Sequence, residues 1–213
     1  MTSKILLYNA ALTHLGSRKL TSISENRKSR RVLDSIWDNG FVRRILEKGQ
    51  WTVGVRTIES TYDPDIDPTF GYSRGHEKPD DWVRTVGLSA DGNFSVPFND
   101  YEDESGYIFC NFDLLYIRFV SSDTLYGGDL SSWPESLVEY AEIELAQLAC
   151  KAITDSDEAL ARLQDRAKDI LREAKSVNAM NGPTRFPPTG SWVAARHGAR
   201  TGRRPPYRSS GNG

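Results

Sequence analysis

Cysteine is nearly missing from this chain: two in 213 residues, Cys110 and Cys150, 40 apart. That spacing matches no zinc or dithiol motif, so both are expected to be buried thiols in a reducing compartment. Histidine is as scarce, with His14, His76 and His197 too scattered to build a metal centre. Apolar runs are short, none longer than four residues, as in Ile5–Tyr8 and Leu114–Ile117. A membrane span needs roughly 18, and the opening Met1-Thr-Ser-Lys-Ile is not expected to serve as a secretory signal. A surplus of one charge is also lacking, since the net charge is only −2. The chain as a whole is therefore no polyanion binder. What remains is ordinary globular composition, 38% hydrophobic and 26% charged, in a chain long enough to bury a core without staples.

The charge is unevenly placed. Residues 182–213 hold six arginines and no acid, which leaves residues 1–181 at −8 against −2 for the whole chain. An acidic body with a basic tail is the clearest physical signal in the sequence.

Residues 3–15 read as a short helix, with Ile5, Tyr8, Leu12 and Leu15 at helical spacing and Gly16 as its stop. Ser22-Ile-Ser-Glu25 fits a capping box, and one long helix is expected from about Ser24 to Lys48. Its apolar residues, from Val32 through Ile36, Trp37 and Phe41 to Leu46, spread round the helical wheel. That predicts cover from more than one side. Gln50–Ile58 alternates like a half-buried strand, with Trp51, Val53 and Val55 on one face. Residues 59–81, rich in Pro and Gly, read as a long loop. Short strands follow near Trp82–Leu88, Phe94–Phe98, Tyr107–Asn111 and Leu114–Val120, antiparallel because the links are short.

Trp133-Pro134-Glu135 opens another helix with a narrow stripe of Leu137, Ala141, Leu145, Leu148 and Ala152. Asp155 is the expected cap of the last helix, which runs to about Met180 with a charged outer face. The predicted fold is α+β. A helical bundle formed by residues 1–50 and 133–181 is interrupted by a small β insertion over 51–132. Residues 182–213, with six Gly and five Pro, form an extended basic arm.

Catalytic signals are weak. Tyr126-Gly127-Gly128-Asp129 lacks a phosphate-loop fingerprint, and no Gly-x-Ser-x-Gly elbow occurs. The carboxylates Asp100, Glu102, Asp103 and Glu104 sit in a polar stretch with nothing apolar to raise a pKa, as a glycosidase acid requires. A cell-wall hydrolase using Asp100 and Glu104 is the enzyme reading they leave. Asp63, Asp65 and Asp67 lack the Gly and Glu of a calcium loop. The basic run Arg27, Lys28, Arg30, Arg31 could face DNA, solvent or the acids of a neighbouring subunit.

Three readings of the tail stand: inert, nucleic-acid-binding through arginine and stacked aromatics, or an arm that orders on a protein partner. The aromatics favour the third. Phe186, Trp192 and Tyr207 are large anchors, and Arg185, Arg196, Arg203 and Arg204 supply forks for carboxylates. Prolines 187, 188, 205 and 206 stiffen the free arm and lower its ordering cost. Trp37, Phe41 and Trp51 are the candidates for subunit or interdomain packing.

Several segments stand in a telling order and spacing: Asn9-Ala-Ala-Leu12-Thr-His-Leu15-Gly16, Arg30-Arg31-Val32-Leu33-Asp34, Gly49-Gln-Trp51-Thr-Val53 and Lys78-Pro79-Asp-Asp-Trp82-Val-Arg84. The last and most specific is Asp113-Leu-Leu-Tyr116-Ile-Arg-Phe119-Val120 followed by Trp133-Pro134-Glu135 and an Ala-rich helix. Over roughly residues 3–178 the chain thereby resembles the head-to-tail adaptor proteins of short-tailed phages, the tail tubular protein A family; the tail departs from many members. The resemblance implies a non-enzymatic virion protein without cofactor or membrane association. Such adaptors form a ring of twelve copies beneath the phage portal protein and prolong a channel for double-stranded DNA. They help retain the genome, dock the tail nozzle and fibres, and use the C-terminal arm on the portal. An acidic body suits that channel, because a basic lumen would hold the passing duplex.

Overall fold

The computed structural model describes residues 2–94 and 98–181, all within one unit, Met1–Gly182. Among them are five α-helices and two three-stranded antiparallel sheets, a mixed α+β fold. None of the helices is long and apolar enough to cross a membrane.

Helix α1 (Lys4–His14) buries Leu7, Tyr8, Ala11 and Leu12. It ends where Gly16 takes φ +64°. There the Ser17 N–H reaches back to the Leu12 carbonyl at 2.8 Å and the Gly16 N–H to Thr13 at 3.1 Å, satisfying the last open carbonyls. Asn9 clamps the link that follows. Its amide donates to the Leu20 carbonyl at 3.0 Å and accepts from the Leu20 N–H at 2.7 Å.

The single helix expected over 24–48 is two, α2 (Lys28–Asp38) and α3 (Phe41–Glu47). Gly40 between them has φ +83°, a left-handed conformation that turns the chain. Asn39-Gly40 is a turn dipeptide, and the helical periodicity on either side masked it. The capping box does not form either. The Glu25 carboxylate accepts from the Thr21 N–H and hydroxyl at 2.9 and 3.1 Å, closing a local turn, and α2 starts at Lys28 without a side-chain cap. A wheel drawn across both axes therefore mixed two faces. Taken alone, α2 is one-sided, with Leu33 buried and Val32, Ile36 and Trp37 against the core.

The helix covered from most sides is α4 (Glu135–Thr154), where a narrow stripe was expected; Glu139, Lys151 and Ala152 stay exposed. Leu137, Tyr140, Ile143, Ala146 and Ala149 point in different directions and all are buried. Helices α1, α2 and α5 all pack on it. Asp155, with φ +54°, is the left-handed C-cap of α4 rather than the cap of the last helix. The cap of α5 (Asp157–Met180) is Ser156, whose hydroxyl accepts from the Ala159 N–H at 3.2 Å. Leu163, Ala167, Ile170 and Ala174 are the buried stripe of α5.

The sheets lie between α3 and α4 in the chain. Trp51 precedes a 3-10 turn (Thr52–Gly54), so the first strand begins later than expected, as β1 (Val55–Thr61). The remaining strands are β2 (Arg74–Glu77), β3 (Trp82–Ser89), β4 (Glu102–Glu104), β5 (Tyr107–Cys110) and β6 (Leu114–Ser121). Their orders are β1-β6-β3 and β2-β5-β4. The long loop expected over 59–81 thus contains the end of β1 and all of β2. The strand expected at Phe94–Phe98 falls partly on residues outside the description, and Phe98 joins Leu88 through a single bridge.

Leu115, Ile117 and Phe119 of β6 alternate inward and meet Leu88, Ile108 and Cys110 in a second, smaller core. Val83 and Val120 belong instead to the main helical core with Trp51. The β insertion is thereby fused to the helices rather than tethered to them.

Candidate functional site

The seven arm residues Arg185, Phe186, Trp192, Arg196, Arg203, Arg204 and Tyr207 lie outside the described residues. Phe41 and Trp51 are 1% exposed and present almost no surface to another molecule. Half-buried Trp37 stands edge-on to Tyr8 at 5.8 Å and lies 5.6 Å from Phe41, so it closes α1 onto α2 and α3.

The basic run at the start of α2 is divided by helical geometry. Arg27 donates to the carbonyls of Arg18 and Lys19, each at 3.1 Å, and holds the incoming loop. Arg30 pairs with Asp34, which also accepts from the Tyr8 hydroxyl at 2.9 Å. Burial, reinforced by that bond to the Asp34 carboxylate, pushes the Tyr8 hydroxyl far above its usual value. Lys28 and Arg31 enter no ion pair among the described residues. They line an open groove of about 490 Å³ between α2 and α4, together with Ser35. Its apolar lining is Val32 and Ile36 from α2 and Leu148 and Ala152 from α4. Positions 28, 31, 32, 35 and 36 are one stripe of a helix, so α2 offers a single face to this groove. The cationic rim was visible in the sequence; the apolar floor needs Leu148, which lies far along the chain.

A second surface feature had no signal beyond a failed phosphate-loop match. Residues 122–129 form a tight turn between β6 and α4. The Asp123 carboxylate accepts from the Leu125 N–H at 2.7 Å, and its carbonyl accepts from the N–H groups of Tyr126 at 3.0 Å and Gly128 at 2.9 Å. The buried Trp133 indole donates to the Gly127 carbonyl at 2.8 Å. At the tip, Leu125 is 84% exposed, the most exposed large hydrophobic residue described. Asp123 and Asp129 flank it in the sequence.

Beneath that turn Asp81, the residue before β3, ties β1 to β6. It accepts from Arg56 of β1 at 2.9 Å and from the Ser121 hydroxyl of β6, while its carbonyl takes the Ser122 N–H at 2.8 Å. Desolvation alone would raise the Asp81 carboxyl, but the hydrogen bonds from Ser121 and Arg56 outweigh it and hold the group below the usual carboxylate range. The folded value is thus lower than the unfolded value of about 3.9. The stabilisation is complete above the unfolded value and is lost as pH falls through the folded one. Thermal unfolding followed between about pH 5 and 3 is therefore expected to show a flatter acid decline for Asp81→Asn than for the natural chain. Equal slopes would remove Asp81 from the acid transition.

The carboxylates considered for catalysis lie at a sheet edge. Glu102, Asp103 and Glu104 form β4 and all are exposed, Asp103 pairs with Lys78, and Asp100 accepts from the Tyr72 hydroxyl at 3.3 Å. Asp63 accepts from the Asp65 N–H at 2.9 Å in a turn. Among the described residues no three His, Cys, Asp or Glu groups converge on a metal site. His76 is fully buried, with Nε2 2.9 Å from the Phe112 carbonyl and Nδ1 3.4 Å from the Ser60 hydroxyl, which fits a structural role. Cys110 and Cys150 are buried free thiols.

No protein-family model matches this chain, and no curated protein matches it.

Proposed function

We propose that the chain is a virion structural protein. In this reading it is a head-to-tail connector that assembles as a ring under a phage portal, extends the DNA channel and receives the tail nozzle. Residues 1–50 and 133–181 are its helical bundle domain, 51–132 the β domain directed toward the tail, and 182–213 the arm that grips the portal. The observation that carries this reading is where the resembling segments sit. In chain order, Asn9 clamps the first link, Arg30 and Asp34 tie α2 to Tyr8, and the Trp51 indole closes α3. Asp81 then joins β1 to β6, and the Trp133 indole seats the start of α4. Residues that fix several joints of a fold are the ones a family sharing that fold needs in this order.

The arm is tested by deletion of 182–213 alongside a full-length variant with Phe186, Trp192 and Tyr207 all replaced by alanine. Both are expected to keep the thermal midpoint of the body and to lose attachment to portal-bearing capsids in a sedimentation assay. Normal attachment by both variants would overturn the assignment of the arm. A full chain that ignores portal rings but binds labelled duplex with steep salt dependence would replace the connector reading. It would then be a nucleic-acid-binding protein acting through the arginine-rich tail.

A further inference from the structure

The groove between α2 and α4 and the turn at 122–129 carry opposite charges around apolar surface. The turn is a rigid knob. Its backbone is closed on Asp123, its stem is pinned by the Trp133 indole, and its tip is an 84% exposed leucine between two aspartates. Gly127 and Gly128 pass so close to the carbonyls of Ser121, Ser122 and Asp123 that a side chain at either position would collide with them. The groove is the reverse, with an apolar floor of Val32, Ile36 and Leu148 under the cations Lys28 and Arg31. A preorganised apolar tip laid into an open apolar groove, with acids on the tip's turn and cations along one side of the groove, is an arrangement that gives both binding energy and orientation.

The two features cannot meet within one molecule. The knob is fastened to the start of α4, whereas Leu148 and Ala152 lie 13 and 17 residues beyond Glu135. At about 1.5 Å per residue, knob and groove are on the order of 20–25 Å apart along that helix.

We infer that the groove receives the Leu125 knob of a second copy of this chain, with Lys28 and Arg31 facing Asp123 and Asp129 of that copy. Such a contact joins two different surfaces, so it is heterologous and propagates: each molecule gives one knob and offers one groove. Heterologous contacts close into rings when the rotation permits, and many weak copies add through multivalency. The inference deepens the connector reading and rests on it for its use, but the contact is testable without a portal.

The test is a full-length protein carrying Thr124→Cys and Ser35→Cys, which keeps Leu125 in place, treated at high concentration with a short bis-maleimide. Both positions are exposed, and Cys110 and Cys150 are 0% exposed. A ladder of covalent dimers, trimers and larger species is expected, with neither single-cysteine variant giving more than a trace. Adding Arg31→Glu and Lys28→Glu is expected to reduce the ladder about tenfold or more. In the otherwise natural chain, Leu125→Asp is expected to weaken concentration-dependent association to a similar degree while leaving the thermal midpoint unchanged. No ladder, a ladder indifferent to Lys28 and Arg31, or products ending at the dimer would overturn the contact. If wild-type protein still joins portal rings while the ladder is missing, the knob-in-groove contact fails and the connector reading survives. If the ladder forms but the protein ignores portals, the contact stands and the connector reading falls.

Discussion

Replacing Trp51 by alanine is expected to destabilise the body by about 3–5 kcal/mol, the usual range for removing a buried tryptophan. The ring is 1% exposed and sits where α3, β1 and the end of α5 converge. Its indole N–H donates to the Ile45 carbonyl at 3.0 Å, in the last turn of α3. The ring also packs on Gly49, where an added Cβ would stand 3.0 Å from it. Beside it, the Asn178 amide donates to the Gln50 carbonyl at 2.9 Å and accepts from the Thr52 N–H at 3.0 Å, fastening the end of α5 to the same short stretch. Truncation would therefore open a cavity and remove the donor to a carbonyl near a helix terminus. Trp51→Phe keeps most of the apolar area and loses only the donor, so its expected loss is about 1–2 kcal/mol. Equilibrium unfolding in urea checks both, with the midpoint shifted and the slope unchanged. A Trp51→Ala loss under about 1 kcal/mol would mean that this junction does not hold helices and sheet together.

Gly127→Ala is expected to lower stability by about 2–3 kcal/mol, the range of overpacked sites. The added Cβ would collide with the Ser121 carbonyl oxygen and stand 2.8 Å from the Leu46 side chain. Leu46 could turn aside, but the Ser121 carbonyl is backbone at the end of β6 and has no such freedom. Either β6 or the turn must move, and the bond from Trp133 to the Gly127 carbonyl weakens with it. Because this turn carries Leu125, the same variant is expected to reduce self-association beyond its effect on folding. Gly71→Ala is the control, because nothing lies within 4 Å of the site and its φ is not positive. Matching unfolding midpoints for the two variants would refute the argument from close approach.

Much of the architecture was legible because it is local. The stop of α1 at Gly16, the start of α4 after Trp133-Pro134 and the buried stripe of α5 each depend on neighbours within one or two turns. The antiparallel strand at 114–121 announced itself by alternation. Local pattern and structure part company where local signals compete. Asn39-Gly40 was a legible turn that helical periodicity on both sides outvoted. Ser22 and Glu25 had the spacing of a capping box, but Thr21 offered the Glu25 carboxylate a nearer pair of donors.

The amino-acid order alone carries the element types, the acidic body with its basic tail, and the cations at the head of α2, because charge and periodicity are properties of consecutive residues. Only the packed structure decides which helix is central. Whether the flanks of α4 are covered depends on α1, α2 and α5 arriving from elsewhere in the chain. The groove is likewise a product of two helices more than 100 residues apart in sequence, Val32 and Ile36 meeting Leu148. Leu125 becomes a knob only because a turn holds it away from every core residue. Burial and exposure are relations between distant parts of a chain, and no local pattern contains them.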